Sequence, residues 1–164
     1  MEPFQRALTF VLAAEGGEKI TDDPKDRGGL TRWGISQAAY PMLDIRSLTR
    51  DQATALYRKD YWLMGCCDGL PAPIAVFHFD TAVNMGIHTA NTLLQLAAGV
   101  DPDGQIGPKS LAAINRMNRR DLCIEYASRR IVRYAGIKTF DRFGLGWVRR
   151  THACLAMVLA AQEG

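Results

Sequence analysis

The chain has 164 residues and a formal net charge of +3, with 48% hydrophobic and 23% charged residues. That composition builds one globular domain, or one domain with a closely packed lobe, and excludes wholesale disorder. No apolar run approaches the ~18 residues of a membrane span. The best run, residues 8–14, follows Glu2 and Arg6 instead of a basic leader. It is therefore read as part of a helix, in a chain made in the cytoplasm without a secretory signal.

Phe4, Ala7, Leu8, Val11 and Leu12 repeat at helical spacing, with Pro3 suited to the first turn and Gly16–Gly17 ending the helix. From 19 to 34 the period vanishes among Asp-Asp-Pro and Gly-Gly, which predicts a loop or short β-hairpin. Thr49 and Gln52 form a capping box for a second helix reaching about Trp62. After the break at 70–73, Ile74, Val76, Phe77, Phe79, Val83 and Met85 occupy nearly every face of one stretch, which predicts a buried central helix. A short helix follows over about 90–98, then a turn at 101–104, then a helix opened by Pro108. A basic helix over 121–135 places Ile124, Ala127, Ile131 and Tyr134 on one stripe. The last helix, about 146–161, uses Trp147, Thr151, Cys154, Leu155 and Val158. The fold class is mainly α (α+β, two-lobed), with six or seven helices and a small irregular or β section after the first.

Charge is uneven along the chain. Residues 1–98 carry 9 Lys/Arg against 11 Asp/Glu, whereas 99–164 carry 11 against 6. A basic C-terminal half suits an anionic polymer, but Arg119–Arg120, Arg129–Arg130 and Arg149–Arg150 are dispersed pairs with no nucleic-acid motif, so solvated helix faces remain the plainer reading. Cys66, Cys67, Cys123 and Cys154 lack paired C-x-x-C spacing and are expected to be reduced, structural thiols. His78, His88 and His152 lack H-E-x-x-H, and the Asp101–Gln105 turn lacks the acidic twelfth ligand of a calcium loop, where Ala112 stands. No metal and no cofactor are expected.

Glu15 is the most informative position. It lies three residues after Leu12 and four after Val11, so it continues the apolar stripe at the negative end of the helix dipole. Desolvation there would favour the protonated acid that general acid catalysis needs. The alternatives are that it frays outward or finds an arginine partner. The next 16 residues bring Asp22, Asp23, Asp26, Gly28–Gly29 and Thr31. Carboxylates and a hydroxyl beside a buried acid suit cleavage of an acetal, although Asp also serves turns well.

Glu15–Gly17, Asp23–Thr31, Trp33–Ser36, Asp80–Gly86, Asp103–Pro108 and Gly146–Trp147 together resemble glycoside hydrolase family 108 along nearly the whole chain. These are phage-type N-acetylmuramidases (endolysins) with a lysozyme-like fold and a C-terminal peptidoglycan-binding-like region. The resemblance implies a catalytic lobe over 1–95 and a helical peptidoglycan-binding-like lobe over 96–164, packed as one compact unit. It implies that Glu15 is the general acid, with Asp26 or Asp23 and Thr31 positioning water; Gly28–Gly29 favours Asp26. Glu18 stands where the family usually has an aromatic. Trp33, Asp80 and Asn84 are candidate substrate-binding residues; Trp33 is equally a core or hinge aromatic, and Asp80 and Asn84 equally tie the lobes together.

The implied function is metal-independent cleavage of the β-1,4 bond between N-acetylmuramic acid and N-acetylglucosamine in peptidoglycan. The expected enzyme is a monomer, without nucleic acid or stable membrane insertion, reaching the periplasmic wall through a holin pore or a secretion route. A lytic transglycosylase, a wall amidase or peptidase, and a non-catalytic wall-binding module are the rival readings.

Overall fold

The computed structural model describes residues 1–22 and 29–161. Helix α1 (Pro3–Ala14) has Pro at its start and buries Phe4, Ala7, Leu8, Val11 and Leu12, the stripe its sequence predicts. It ends where Gly16 and Gly17 adopt positive φ, and the Gly17 N–H closes back on the Leu12 carbonyl at 2.8 Å. This Schellman-type stop satisfies carbonyls that the helix leaves open, and only glycine adopts the geometry cheaply.

Strands β1 (Thr31–Arg32) and β2 (Ile35–Ser36) form an antiparallel hairpin, and Thr21 bridges to Thr31. The two-residue turn is Trp33–Gly34, both at positive φ (55° and 73°), the combination a tight hairpin's primed turn requires. Helix α2 (Arg50–Tyr57) begins with the Thr49–Gln52 capping box and runs into a π-turn over Arg58–Leu63. A short 3-10 turn at Cys67–Gly69 precedes α3 (Ala72–Met85). Then come α4 (Ile87–Ala97), α5 (Pro108–Arg116), α6 (Arg119–Ala135) and α7 (Phe140–Ala160).

Helix α3 is the axis of the molecule. It packs against α1, α4, α6 and α7, and every residue from Ile74 to Ala82 is buried. Around it Phe4, Tyr57, Trp62 and Phe79 meet at ring separations of 5.3–6.2 Å. Such contacts add to an area term of about 1.5–3 kcal/mol per large apolar side chain. Among the described residues no helix is long and apolar enough to cross a membrane. Cys67, Cys123 and Cys154 are buried and Cys66 is exposed.

The start of one helix and the buried face of another depart furthest from the sequence reading. Helix α7 starts at Phe140, not near residue 146, because Gly144 lets the Phe140 ring lie against the backbone: a Cβ there would sit 2.6 Å from the ring. In α6 the inward face carries Cys123, Ala127, Arg130 and Tyr134, while Ile124 is 41% exposed. The stripe is rotated from its predicted position because Arg130, which reads as a surface cation, is fully buried on an acidic partner.

Candidate active site

The Schellman stop of α1 leaves Glu15 at the helix end, facing the hairpin turn. Gly34 approaches it so closely that a Cβ would lie 2.7 Å from the Glu15 Cβ and 2.5 Å from the Tyr57 hydroxyl oxygen. Glycine at 34 therefore serves both the turn and the close approach. Glu15 borders a cavity of about 190 Å³ lined also by Ser36, Tyr40, Tyr57, Tyr61 and Val83. The Tyr57 hydroxyl donates to the Trp33 carbonyl at 3.0 Å, tying α2 to the turn. Tyr40 donates to Asp60 at 2.7 Å. Burial, assisted by nearby carboxylates, pushes the three phenols above their ordinary values, so they present uncharged rings to the cleft.

A larger cavity of about 320 Å³ opens at the other end of α1, among Glu2, Phe4, Arg58, Trp62 and Asp68. There Asp68 accepts from the Trp62 indole at 2.5 Å, and Arg58 sits over the Phe4 ring. Size alone does not pick out the chemistry. The smaller cleft joins a carboxyl group to three aromatic rings, which is the pairing a polar ligand with apolar faces needs.

Glu15 does find an arginine. Arg150 of α7 donates through Nη1 to Glu15 Oε1 at 2.6 Å, and the carboxylate side chain keeps 28% of its exposure. Arg150 also lies 2.9 Å from Asp80 Oδ1 through both Nε and Nη2. Asp80 Oδ2 is held at 2.6 Å by Arg130. Burial works against the charge of both guanidiniums, but the neighbouring carboxylates, Asp80 foremost, outweigh it and push both above the usual arginine value.

The other expected site residues fall in different places. Asp80 is 1% exposed and both its oxygens are occupied by arginines, so it ties α3 to α6 and α7, the tying role its sequence position also allowed. Asn84 is half-buried, accepts a short hydrogen bond from Tyr134, and lines a separate cavity of about 180 Å³ with Arg133 and Trp147. Trp33 is half-buried against the core at the hairpin turn, with its indole nitrogen enclosed and unpartnered among the described residues. Thr31 is half-buried in β1 and donates to the Gly29 carbonyl at 3.1 Å; no hydrogen bond to Glu15 forms among the described residues. Glu18 turns outward to pair with Arg32 at 3.0 Å. Asp23 and Asp26 lie outside the described residues.

Arg150 and the three tyrosines have no counterpart in the sequence reading. Arg150 had a usable signal, because it follows Trp147 by three residues and precedes Cys154 by four, on the inward side of α7. Tyr57 and Tyr61 are four apart, at the spacing of one helical face.

Residues 8–86 match the family described as Glycosyl hydrolase 108, and residues 89–152 match the family described as Predicted Peptidoglycan domain. The solved structure of Brucella abortus SagA superposes with a TM-score of 0.85 at 36% identity, over 96% of this chain and 94% of that one. No curated protein matches. The mainly α, lysozyme-like fold, the Glu15 cleft and these matches together make the chain a member of glycosyl hydrolase family 108, a glycoside hydrolase that acts on peptidoglycan.

Proposed function

We propose that the protein is an N-acetylmuramidase, a lysozyme that cuts the β-1,4 bond from N-acetylmuramic acid to N-acetylglucosamine, with Glu15 as general acid. The carrying observation is the cleft in which Glu15 meets Tyr40, Tyr57 and Tyr61. Sugar rings have apolar faces that pack on aromatic side chains, and their bridging oxygens need a proton to leave. Glu15 supplies that proton. Asp26 or Asp23, with Thr31, takes the water-positioning role in this reading. No step is assigned to a metal. The basic C-terminal half draws the enzyme toward carboxylate-bearing stem peptides, an attraction that weakens as salt rises. The enzyme is proposed to be a monomer of phage or prophage origin that reaches the periplasmic wall from the cytoplasm, through a holin pore or a secretion route.

The test is digestion of purified sacculi by wild type and Glu15→Gln, followed by reducing-end and mass analysis of the products. New muramic reducing ends made by wild type alone are expected. Anhydromuramic ends would make the protein a lytic transglycosylase. Free amines, or full activity in Glu15→Gln, would remove the reading.

A further inference from the structure

The charge network that ends on Glu15 begins in the other half of the chain. Arg130 is fully buried, donates through Nε to Tyr134 at 3.0 Å, and clamps Asp80. Asp80 in turn holds one edge of Arg150, leaving Nη1 for Glu15. The orientation of Arg150 is therefore set by buried groups and not by solvent. The surrounding side chains offer further polar contacts, including the Thr81 hydroxyl at 3.1 Å from Arg130. When all four ionisable groups are charged, two cations balance two anions.

We propose that Arg150 is a positioning residue for Glu15, so that the segment matched as a peptidoglycan domain is a working part of the catalytic unit. This rests on the reading of Glu15 as the acid. Because Oε1 accepts from a guanidinium N–H that cannot itself accept, the transferable proton belongs on the other carboxyl oxygen. That proton passes to the glycosidic oxygen, and its bonding pair stays on the Glu15 carboxylate. The C1–O bond breaks with its pair on the leaving oxygen, and positive charge builds on the sugar ring. Water then supplies the hydroxyl to C1 and the proton that restores the acid. In the protonated form of Glu15, negative charge thus develops only as the proton leaves, beside a cation already held in place. Such a contact stabilises the transition state more than the bound substrate, so its loss is read in kcat and not in KM.

Arg150→Met, Arg150→Lys and Glu15→Gln are to be compared on soluble, uncrosslinked glycan strands, with kcat and KM measured separately and unfolding followed by circular dichroism. Arg150→Met is expected to lose on the order of 10²-fold in kcat with KM within about twofold. Arg150→Lys restores part of that loss, because an ammonium supplies the charge but not the fork held by Asp80. If Arg150→Met does not fold, Arg150→Lys alone must show reduced kcat at unchanged KM. A kcat within about threefold of wild type overturns the proposal. So does a loss confined to KM, which would make Arg150 a glycan ligand, or an absence of lysine rescue in folded variants. An active Glu15→Gln would instead remove the reading of the acid itself.

Discussion

His78 and Asp80 stand two positions apart on α3, both sealed from water, and they accommodate a buried polar side chain in opposite ways. His78 is surrounded by neutral groups. Its Nε2 donates to Asn91 Oδ1 at 3.1 Å, since the Asn91 amide nitrogen is already committed to the Gly104 carbonyl, and its Nδ1 lies 2.8 Å from the Tyr126 hydroxyl. Asp80 is surrounded by cations. One cluster fastens α3 to α4 and α6 and offers no counter-charge to an added proton; the other fastens α3 to α6 and α7 and extends to the cleft. A neutral buried network fails when it is charged, and a charged one fails when it is unpaired.

The largest expected effect comes from unpairing. Asp80→Ala leaves Arg130 buried without its counter-ion and frees Arg150, and should cost about 3–5 kcal/mol in urea unfolding. A loss below about 1 kcal/mol would show that water or Glu15 replaces the carboxylate. Charging the neutral cluster comes next. Burial pushes His78 down to about 4, whereas the unfolded chain titrates near its ordinary value of about 6.5. Between those values the unfolded chain binds the proton and the folded one does not. The stability present above pH about 6.5 is therefore lost as pH falls toward 4, by about 3 kcal/mol in all. His78→Gln should flatten that slope, measured as urea midpoints across the same range, and Asp80→Ala should leave it in place.

Smaller changes separate the cleft from both clusters. Gly34→Ala strains a backbone at φ 73° and pushes a methyl group into Tyr57 and Glu15. It should cost about 1–2 kcal/mol and, well below the unfolding midpoint, slow sacculus clearance more than that instability explains. Clearance at the wild-type rate would mean that the hairpin shifts without moving Glu15. Thr49→Ala removes a capping box remote from all three and sets the baseline. It should cost about 1 kcal/mol, with clearance and pH slope unchanged.

What the sequence reveals follows from what its rules count. The α1 stripe, the capping box at Thr49 and the buried α3 follow from local spacing, and local spacing decides them in the structure; the hairpin, read as a loop or short hairpin within 19–34, turns at Trp33–Gly34 and reaches Ser36. Glu15 is legible as an anomaly on that stripe. The partners of Arg130 and Arg150 are not, because hydropathy treats arginine as surface and cannot see a carboxylate 50 or 70 positions away, although the spacing of Arg150 from Trp147 and Cys154 marks its inward side. In two of the three Arg-Arg doublets one member turns inward: Arg130 and Arg150 are enclosed, while Arg149 is exposed and Arg129 pairs with Glu125 at the rim; Arg119 and Arg120 are both exposed. The same blindness misplaces the α6 stripe and hides which cations Asp80 holds.

The four thiols divide three to one, and that division makes the molecule report its own opening. Burial pushes Cys123 up to about 12 and raises Cys67 and Cys154 as well, so these three are protonated, shielded and slow to alkylate. Cys66 alone is exposed. A mild alkylating reagent should add one label at once and three more only when the helices part. Cys67 borders α3 from the first half of the chain, while Cys123 and Cys154 sit on α6 and α7. If the three late labels arrive together, the two matched segments open as a single cooperative body.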